Sequence, residues 1–172
     1  VGGGITSIEQ ASACMKGGAE KILLGTSAFE NPNLVRQVSD KFGSQAVTVS
    51  IDVTSRTVSS ISTNSGSIPQ HISALDFAIQ CQELGAGEIL LQNVEADGSL
   101  EGPDFESLKL LVKEVNLPII VSGGISDARQ ILNLYNAGAS AVAIGALFQF
   151  TEKTPQKIST ELIELGLSVR SR

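Results

Sequence analysis

The stretch VSGGISDARQILNLYNAGASAVAIG, residues 121–145, decides the fold, because the chain begins with a second version of it. Residues 1–25, VGGGITSIEQASACMKGGAEKILLG, align with it at a constant offset of 120, and eight of the 25 pairs are identical. Ordinary residue frequencies would give about two identities. Each version has the pattern of a strand end, a glycine turn, an amphipathic helix and a second strand. The two stretches are therefore predicted to be copies of one structural unit.

Short apolar runs alternate with longer amphipathic stretches along the whole chain. Runs that are apolar at nearly every position indicate parallel strands covered on both faces, with crossover helices between them. The predicted strands are 22–25, 46–52, 88–92, 118–122 and 141–145. The predicted helices are 7–17, 31–42, 73–84, 104–115, 127–136 and 155–165. Residues suited to cap helix N-termini are Ser7, Asn31, Ser73, Asp104 and Asp127.

The spacing of the repeat indicates the architecture. One strand–helix unit takes about 30 residues in a barrel of about 250, so the offset corresponds to four units, half of an eightfold barrel. We predict an α/β fold, a (βα)8 TIM barrel of the duplicated half-barrel type. Residues 1–172 would form a single partial domain, from the end of strand three through helix eight. Six strands cannot close such a barrel, so we expect two missing units upstream of Val1, or a second copy, to cover the open edges.

Composition excludes several classes of function. The net charge is −6 and no basic run exceeds a pair, which disfavours a nucleic-acid or anionic membrane surface. No apolar run could span a bilayer and no signal peptide is evident, so we expect a soluble, cytoplasmic protein. Cys14 and Cys81 lack metal-ligand spacing and are expected to be reduced packing residues. With His71 as the only histidine, placed in a polar loop over 54–70, we predict no metal and no cofactor.

The repeated glycine turns are candidate anion sites. In a barrel, ligands bind on the loops that follow the strands, and glycines there let backbone N–H groups approach an anion closely. Gly2-Gly3-Gly4 and Gly25-Thr26 follow one adjacent pair of strands, and Gly123-Gly124 and Gly145-Ala146 follow the other. Each turn alone could simply be a tight strand-to-helix connection. Two paired copies, half a barrel apart, favour a substrate with a phosphate at each end.

Acidic residues follow two of the predicted strands. Asp52 ends its strand between the two phosphate turns, where a carboxylate could act as a general acid or base. The alternative is a strand-end aspartate that caps its own loop. Asp97-Gly98 is a turn signal, or part of a loop that orders over the ligand with donors near Gly98. Glu95 could be a second acid or base, although a solvated charge is the favoured interpretation.

Charged residues begin two of the predicted strands, at the opposite end of the barrel. Lys21, Glu20 and Glu88 could form a charged ring across that face. Ordinary solvated charges are the alternative, and surface pairs of this kind contribute little to stability.

Together these motifs resemble the cyclase subunit of imidazole glycerol phosphate synthase, from histidine biosynthesis, over residues 1 to about 170. The stretches that carry the resemblance are VGGGI (1–5), ENP (30–32), FGSQAVTVSID (42–52), GAGEILL (85–91), ADGSLEG (96–102), PIIVSGGIS (118–126) and FQFTEKTP (148–155). In that family, ammonia attacks an opened aminoimidazole carboxamide ribonucleotide, which then cyclises and cleaves. Two aspartates, ending strands one and five, move the protons.

The resemblance assigns roles to individual residues. It makes Asp52 one of the two catalytic aspartates, and its partner would lie upstream of Val1, so the isolated chain is expected to be inactive. It places one phosphate at Gly4 and Thr26. It places the other phosphate at Asp97, Gly98, Gly124, Ile125, Gly145 and Ala146. Further substrate contacts would be Ser65 and Gln92, and ammonia from a glutaminase subunit would enter through a gate at Lys21 and Glu88.

Three departures from the family pattern leave other functions open. Gly25 replaces the usual Asn, Glu95-Ala96-Asp97 replaces an acidic-basic-acidic loop, and Gly102-Pro103 resembles the sister isomerase of the same pathway. One alternative is a paralogue in the ammonia-dependent amidation of a surface-polysaccharide sugar. The others are the phosphoribosyl aldose–ketose isomerase and a non-catalytic, phosphate-binding barrel fragment.

Overall fold

A parallel sheet flanked by helices forms the centre of the computed structural model, which describes residues 1–54, 60–63 and 66–169. The strands are β1 (Ile22–Leu24), β2 (Val47–Val53), β3 (Ser60–Thr63), β4 (Ile68–Ser73), β5 (Glu88–Asn93), β6 (Ile119–Ser122) and β7 (Ala141–Ala143). The helices are α1 (Ile8–Lys16), α2 (Thr26–Glu30), α3 (Asn33–Phe42), α4 (Ala74–Glu83), α5 (Phe105–Glu114), α6 (Ala128–Asn136), α7 (Ala146–Phe150) and α8 (Pro155–Glu164).

The order of the parallel strands is that of consecutive barrel strands. β1 pairs with β2, β2 with β5, β5 with β6 and β6 with β7, all in parallel. Gly2 makes a further parallel bridge to Leu23, so the segment before the first glycine turn lies beside β1. The α/β class and the parallel barrel order are thus confirmed. Within the described part of the chain, the parallel strands end at β7 on one side and at Gly2 on the other, and β4 forms a further edge of the sheet.

Alternation along β2 divides the protein into an apolar outer layer and a polar interior. Val47, Val49 and Ile51 are fully or almost fully buried, and they belong to the core formed with the outer helices. The intervening Thr48, Ser50 and Asp52 face the barrel interior. The main helical contributors to the core are Leu34, Val35, Phe77, Cys81, Leu108, Leu111, Leu134, Ile158 and Leu162. The sheet therefore uses one face for stability and leaves the other for polar chemistry.

Four of the five predicted N-caps are confirmed, each with a side-chain oxygen that accepts a helix N–H: Ser7, Ser73, Asp104 and Asp127. Asn31 is wrong as a cap. It ends the short helix α2, where its N–H bonds to Ser27 O, and Pro32 precedes α3 instead. The preset backbone of proline suits this position and starts the new helix one residue later than expected.

The predicted polar loop over 54–70 contains two strands, so that prediction is wrong. β3 and β4 form an antiparallel hairpin, and β3 pairs with the end of β2 through Asp52↔Ser62 and Val53↔Ile61. These pairs lie beyond the part of β2 that pairs with β1, so the hairpin extends the sheet past the end of β1. Ile61 is buried in the core. His71 lies in β4, in contrast to the loop placement expected for it.

The two copies of the repeat have the same backbone. Gly3 and Gly4 have φ values of 92° and 73°, and Gly123 and Gly124, 120 residues later, have 96° and 77°. Residues with a side chain rarely adopt these left-handed φ values, which explains why glycine recurs at both positions of the turn. The geometry confirms the duplicated half-barrel.

Other expectations concern the cysteines and membrane association. Cys14 and Cys81 are free thiols, as predicted, and burial raises the pKa of the Cys81 thiol to about 12. Across the described residues, we find no helix with the length and apolar character needed to cross a membrane.

Gly4 and Gly124 provide a matched pair for testing the repeat. Both have positive φ, but a Cβ on Gly4 would meet nothing within 4 Å, whereas one on Gly124 would lie 2.2 Å from Gly102 O. We expect Gly4→Ala to lower the free energy of unfolding by about 1–2 kcal/mol through backbone strain alone. Gly124→Ala should cost at least about 1 kcal/mol more because of the overlap. Urea denaturation measures both, and equal losses would contradict the assigned packing.

Candidate functional site

A cavity of about 540 Å³ opens at the carboxyl ends of β1, β2 and β5. Four residues singled out from the sequence line it together: Gly4, Thr26, Asp52 and Gln92. Asp52 and Gln92 are paired in register on adjacent strands, which places both at the same depth. The volume lies within the usual range for small-molecule sites, and its lining of backbone glycines and a few polar side chains suits a polar ligand.

Two acidic residues line this cavity, the exposed Glu30 and the partly buried Asp52 at the end of β2. Asp52 Oδ1 accepts a hydrogen bond from Ser50 Oγ at 3.0 Å. Burial raises the pKa of the Asp52 carboxyl above its ordinary value, and the hydrogen bond from Ser50 only partly opposes this shift. A carboxyl with a raised pKa takes up and releases a proton closer to neutral pH, as acid–base catalysis requires.

Two neighbours of Asp52 were missed by the sequence reasoning. Ser50 lies two residues earlier on the same strand, so strand alternation could have indicated that it shares the inward face. The β3–β4 hairpin lies beside Asp52. Its Ile61 lines a small adjoining cavity together with Phe29 of α2 and Phe77 of α4. The rings of Phe29 and Phe77 pack edge to face with centroids 5.7 Å apart. This apolar wall contributes to the burial of the carboxylate. Ser65 lies outside the described residues.

The second glycine turn is covered by the loop that follows β5. Gly102 N donates to Gly124 O at 2.8 Å, and a Cβ on Gly123 would lie 2.3 Å from Asn93 O. The loop is fixed by the buried Asn93, whose Oδ1 accepts the N–H groups of Glu95 and Ala96 at 3.1 Å each. Asn93 was missed from sequence, although an Asn that folds its own loop is a common turn device.

The other residues predicted for the second phosphate are spread around this loop and the neighbouring strand ends. Asp97 and Gly98 are exposed, and so is Glu95, in agreement with a solvated charge. The Ile125 side chain is buried in the core, so only its backbone could meet a ligand. Gly145 precedes α7, which begins at Ala146. Among the described residues, the cavity that contains Asp52 is not lined by Asp97, Gly98, Gly124, Ile125, Gly145 or Ala146.

At the opposite end of the barrel, two of the three charged residues meet. Lys21 Nζ lies 2.8 Å from Glu88 Oε2, and the same oxygen accepts a hydrogen bond from Thr48 Oγ1 at 2.9 Å. Glu88 is largely enclosed, with 18% of its side chain exposed, whereas 49% of Lys21 is exposed. Thr48, Ser50 and Asp52 alternate along β2, so one strand connects this ion pair to the cavity.

The parallel strand order, the duplicated glycine turns and an acidic residue at the strand ends define a β/α-barrel protein with its site at the carboxyl face. A family model described as "Histidine biosynthesis protein" matches residues 1–154, and the chain belongs to this family.

Three relatives illustrate how closely the chain follows the family, and each is an imidazole glycerol phosphate synthase subunit HisF. The protein of Dictyoglomus turgidum is 38% identical over 172 residues, covering 99% of this chain and 68% of the relative. That of Thermobifida fusca is 39% identical over 178 residues, with 99% and 69% covered. That of Pyrococcus furiosus is 35% identical over 171 residues, with 99% and 68% covered. The resemblance stated from the motifs is confirmed.

The raised pKa of Asp52 predicts how stability depends on pH. A carboxyl whose pKa is higher in the folded state binds its proton more tightly there, so ionisation destabilises the fold as pH rises through that pKa. We expect Asp52→Asn, which removes the charge, to raise the free energy of unfolding at pH 7. The gain should shrink as pH falls and disappear well below the ordinary value of 3.8, where the carboxyl is protonated in both states. Urea denaturation at several pH values measures this difference in the free energy of unfolding. An Asp52→Asn variant that is less stable than the wild type at neutral pH would contradict this assignment.

Proposed function

We propose that this chain forms the catalytic barrel of an ammonia-dependent cyclase and lyase that makes imidazole glycerol phosphate. The substrate is an opened aminoimidazole carboxamide ribonucleotide with a phosphate at each end. The carrying observation is the position of Asp52, a carboxyl with a raised pKa in the cavity beside the first glycine turn. Membership of the histidine biosynthesis family, and relatives named as subunit HisF, support this reaction over the alternatives.

The two glycine turns would hold the two phosphates. Gly4 and Thr26 line the cavity with Asp52, and their backbone N–H groups are the proposed donors at one end. Gly124, the backbone of Ile125, Gly145 and Ala146, together with Asp97 and Gly98 of the loop after β5, are the proposed contacts at the other. Both sites use backbone dipoles, so the protein binds two phosphates while keeping a net negative charge.

Between the phosphates, Asp52 would transfer protons. A carboxylate removes a proton from the attacking nitrogen or the imidazole precursor, and the resulting acid returns it to the leaving group. Ser50 holds the Oδ1 atom and so fixes the direction of the carboxylate. Gln92, opposite Asp52 on β5, is a proposed contact for the polar middle of the substrate, as is Ser65. No metal or organic cofactor is proposed.

The ammonia would come from a glutaminase subunit bound at the opposite end of the barrel. The relatives are named as subunits, which implies a partner. The Lys21–Glu88 pair lies at the amino ends of the strands, with Thr48 directly above it on β2. We propose that this pair is the gate through which ammonia enters.

Turnover of the opened ribonucleotide tests the proposal, in a polypeptide that contains this chain within all eight strand–helix units. With ammonium as nitrogen donor, Asp52→Asn should lower the rate about 100-fold or more, because a general acid–base group is lost. Glu83→Gln, an exposed carboxyl at the end of α4, is the matched control and should leave the rate unchanged. Full activity of Asp52→Asn would remove Asp52 from the mechanism. Isomerisation without any nitrogen donor would support the isomerase instead.

The same assay tests the partner. With glutamine and a glutaminase subunit in place of ammonium, Lys21→Met should reduce turnover while ammonium-supported turnover persists. If both nitrogen sources support Lys21→Met equally well, the ion pair is only structural.

A further inference from the structure

The two copies of the repeat share a glutamine that hydrogen-bonds back to its own glycine turn. Gln10 Oε1 accepts the backbone N–H of Thr6 at 2.7 Å. Gln130 Oε1 accepts the backbone N–H of Ser126 at 2.9 Å. Thr6 and Ser126 occupy equivalent positions, two residues after the last glycine of each turn. The same contact has therefore been kept in both halves, although the residues that donate differ.

Each glutamine is itself fixed by the helix N-cap. Gln10 N donates to Ser7 Oγ at 3.4 Å, and Gln130 N donates to Asp127 Oδ1 at 2.8 Å. In an ordinary capping box, the side chain of this residue returns to the N–H of the cap residue. Here the glutamine side chain accepts the N–H of the residue before the cap, at the end of the glycine turn. The glutamine side chain thus links the turn to the helix, and the N-cap residue holds the backbone N–H of the glutamine.

This tie matters most at the first turn, because Gly3 and Gly4 are less enclosed than Gly123 and Gly124. A Cβ on Gly3 or Gly4 would meet no atom within 4 Å, so packing does not hold these residues. Thr6 lines the cavity together with both glycines. Because Thr6 N is occupied by Gln10, the donors that face a ligand are the N–H groups of the glycines and of Ile5 before it. The glutamine therefore limits both the shape and the donor set of the turn.

The chemistry of the side chain points to an anionic ligand. Glutamate would accept the same hydrogen bond, and a negative charge in the first turn of a helix is favourable for the helix itself. Both copies nevertheless carry a neutral amide. At the second turn the cap residue Asp127 is already a carboxylate, so a charge argument applies only to the first turn, where the cap residue is Ser7. A carboxylate at position 10 would repel a phosphate bound at that turn, whereas an amide oxygen fixes the turn without adding charge.

We propose that Gln10 and Gln130 are positioning residues that preorganise the two glycine turns for phosphate, and that the neutrality of Gln10 is required for phosphate affinity at the first turn. The inference rests on the phosphate sites of the proposed function, and it is independent of the chemistry between them.

Inorganic phosphate binding to the full-length protein, followed by calorimetry and ³¹P NMR, tests this. Gln10→Ala should weaken binding at the first turn about threefold to tenfold, since one organising hydrogen bond is lost. Gln10→Glu keeps the acceptor and adds a negative charge in the first turn of α1, so it should not lower thermal stability. It should still weaken binding about threefold or more, with a loss that shrinks as salt rises. Gln130→Ala should weaken binding at the second turn only.

Gln82→Glu is the matched control. Gln82 Oε1 also accepts a backbone N–H, that of Asn116 at 2.7 Å, but far from both turns, so phosphate binding should not change. Wild-type affinity in Gln10→Glu, or a loss independent of salt, would overturn the proposed role of neutrality. Unchanged affinity in Gln10→Ala would show that the glutamine serves only the helix. If the wild-type protein binds phosphate at both turns but does not turn over the opened ribonucleotide, the proposed reaction is wrong and this inference still stands.

Discussion

The left-handed backbone of two adjacent glycines, present once in each half of the chain, is the constraint on which the rest of the site depends. At Gly3-Gly4 and at Gly123-Gly124 the chain leaves a strand and enters a helix in the same conformation, to within a few degrees of φ. That path exposes backbone N–H groups at the carboxyl face of the sheet, where a side chain at either position would be strained. The remaining features, namely the helix caps, the returning glutamines and the covering loop, hold these turns in place.

β2 connects stability to chemistry within one strand. Its outward residues Val49 and Ile51 are buried in the core, while its inward row begins at Thr48, beside the Lys21–Glu88 pair, and ends at Asp52. The apolar wall that surrounds Asp52 makes its ionised form costly to the fold, yet that cost is what brings its pKa towards a useful range. A functional carboxylate on a structural strand is expected to lower stability, as strained or buried active-site groups often do.

Local patterns and the repeat predicted most of the scaffold. The offset of 120 gave the half-barrel, and the cap residues Ser7, Ser73, Asp104 and Asp127 were recognisable because each serves its own helix. The hairpin was missed because its strands carry many polar residues and depend on pairing with the end of β2 and with each other, which the residue pattern alone does not show. Ser50, Asn93 and the glutamine ties are local contacts, two to four residues apart in sequence. Strand alternation and turn chemistry could indicate Ser50 and Asn93, but residue types alone do not specify which nearby partner a polar side chain takes.

The central claim is that the duplicated turns form two phosphate sites on either side of Asp52. A crystal structure of the full-length protein with inorganic phosphate tests it most directly. We expect one phosphate against the backbone of Gly4 and Thr26, and a second against the backbone of Gly124 and Ala146. Phosphate at only one turn, or at neither under saturating conditions, would contradict the claim.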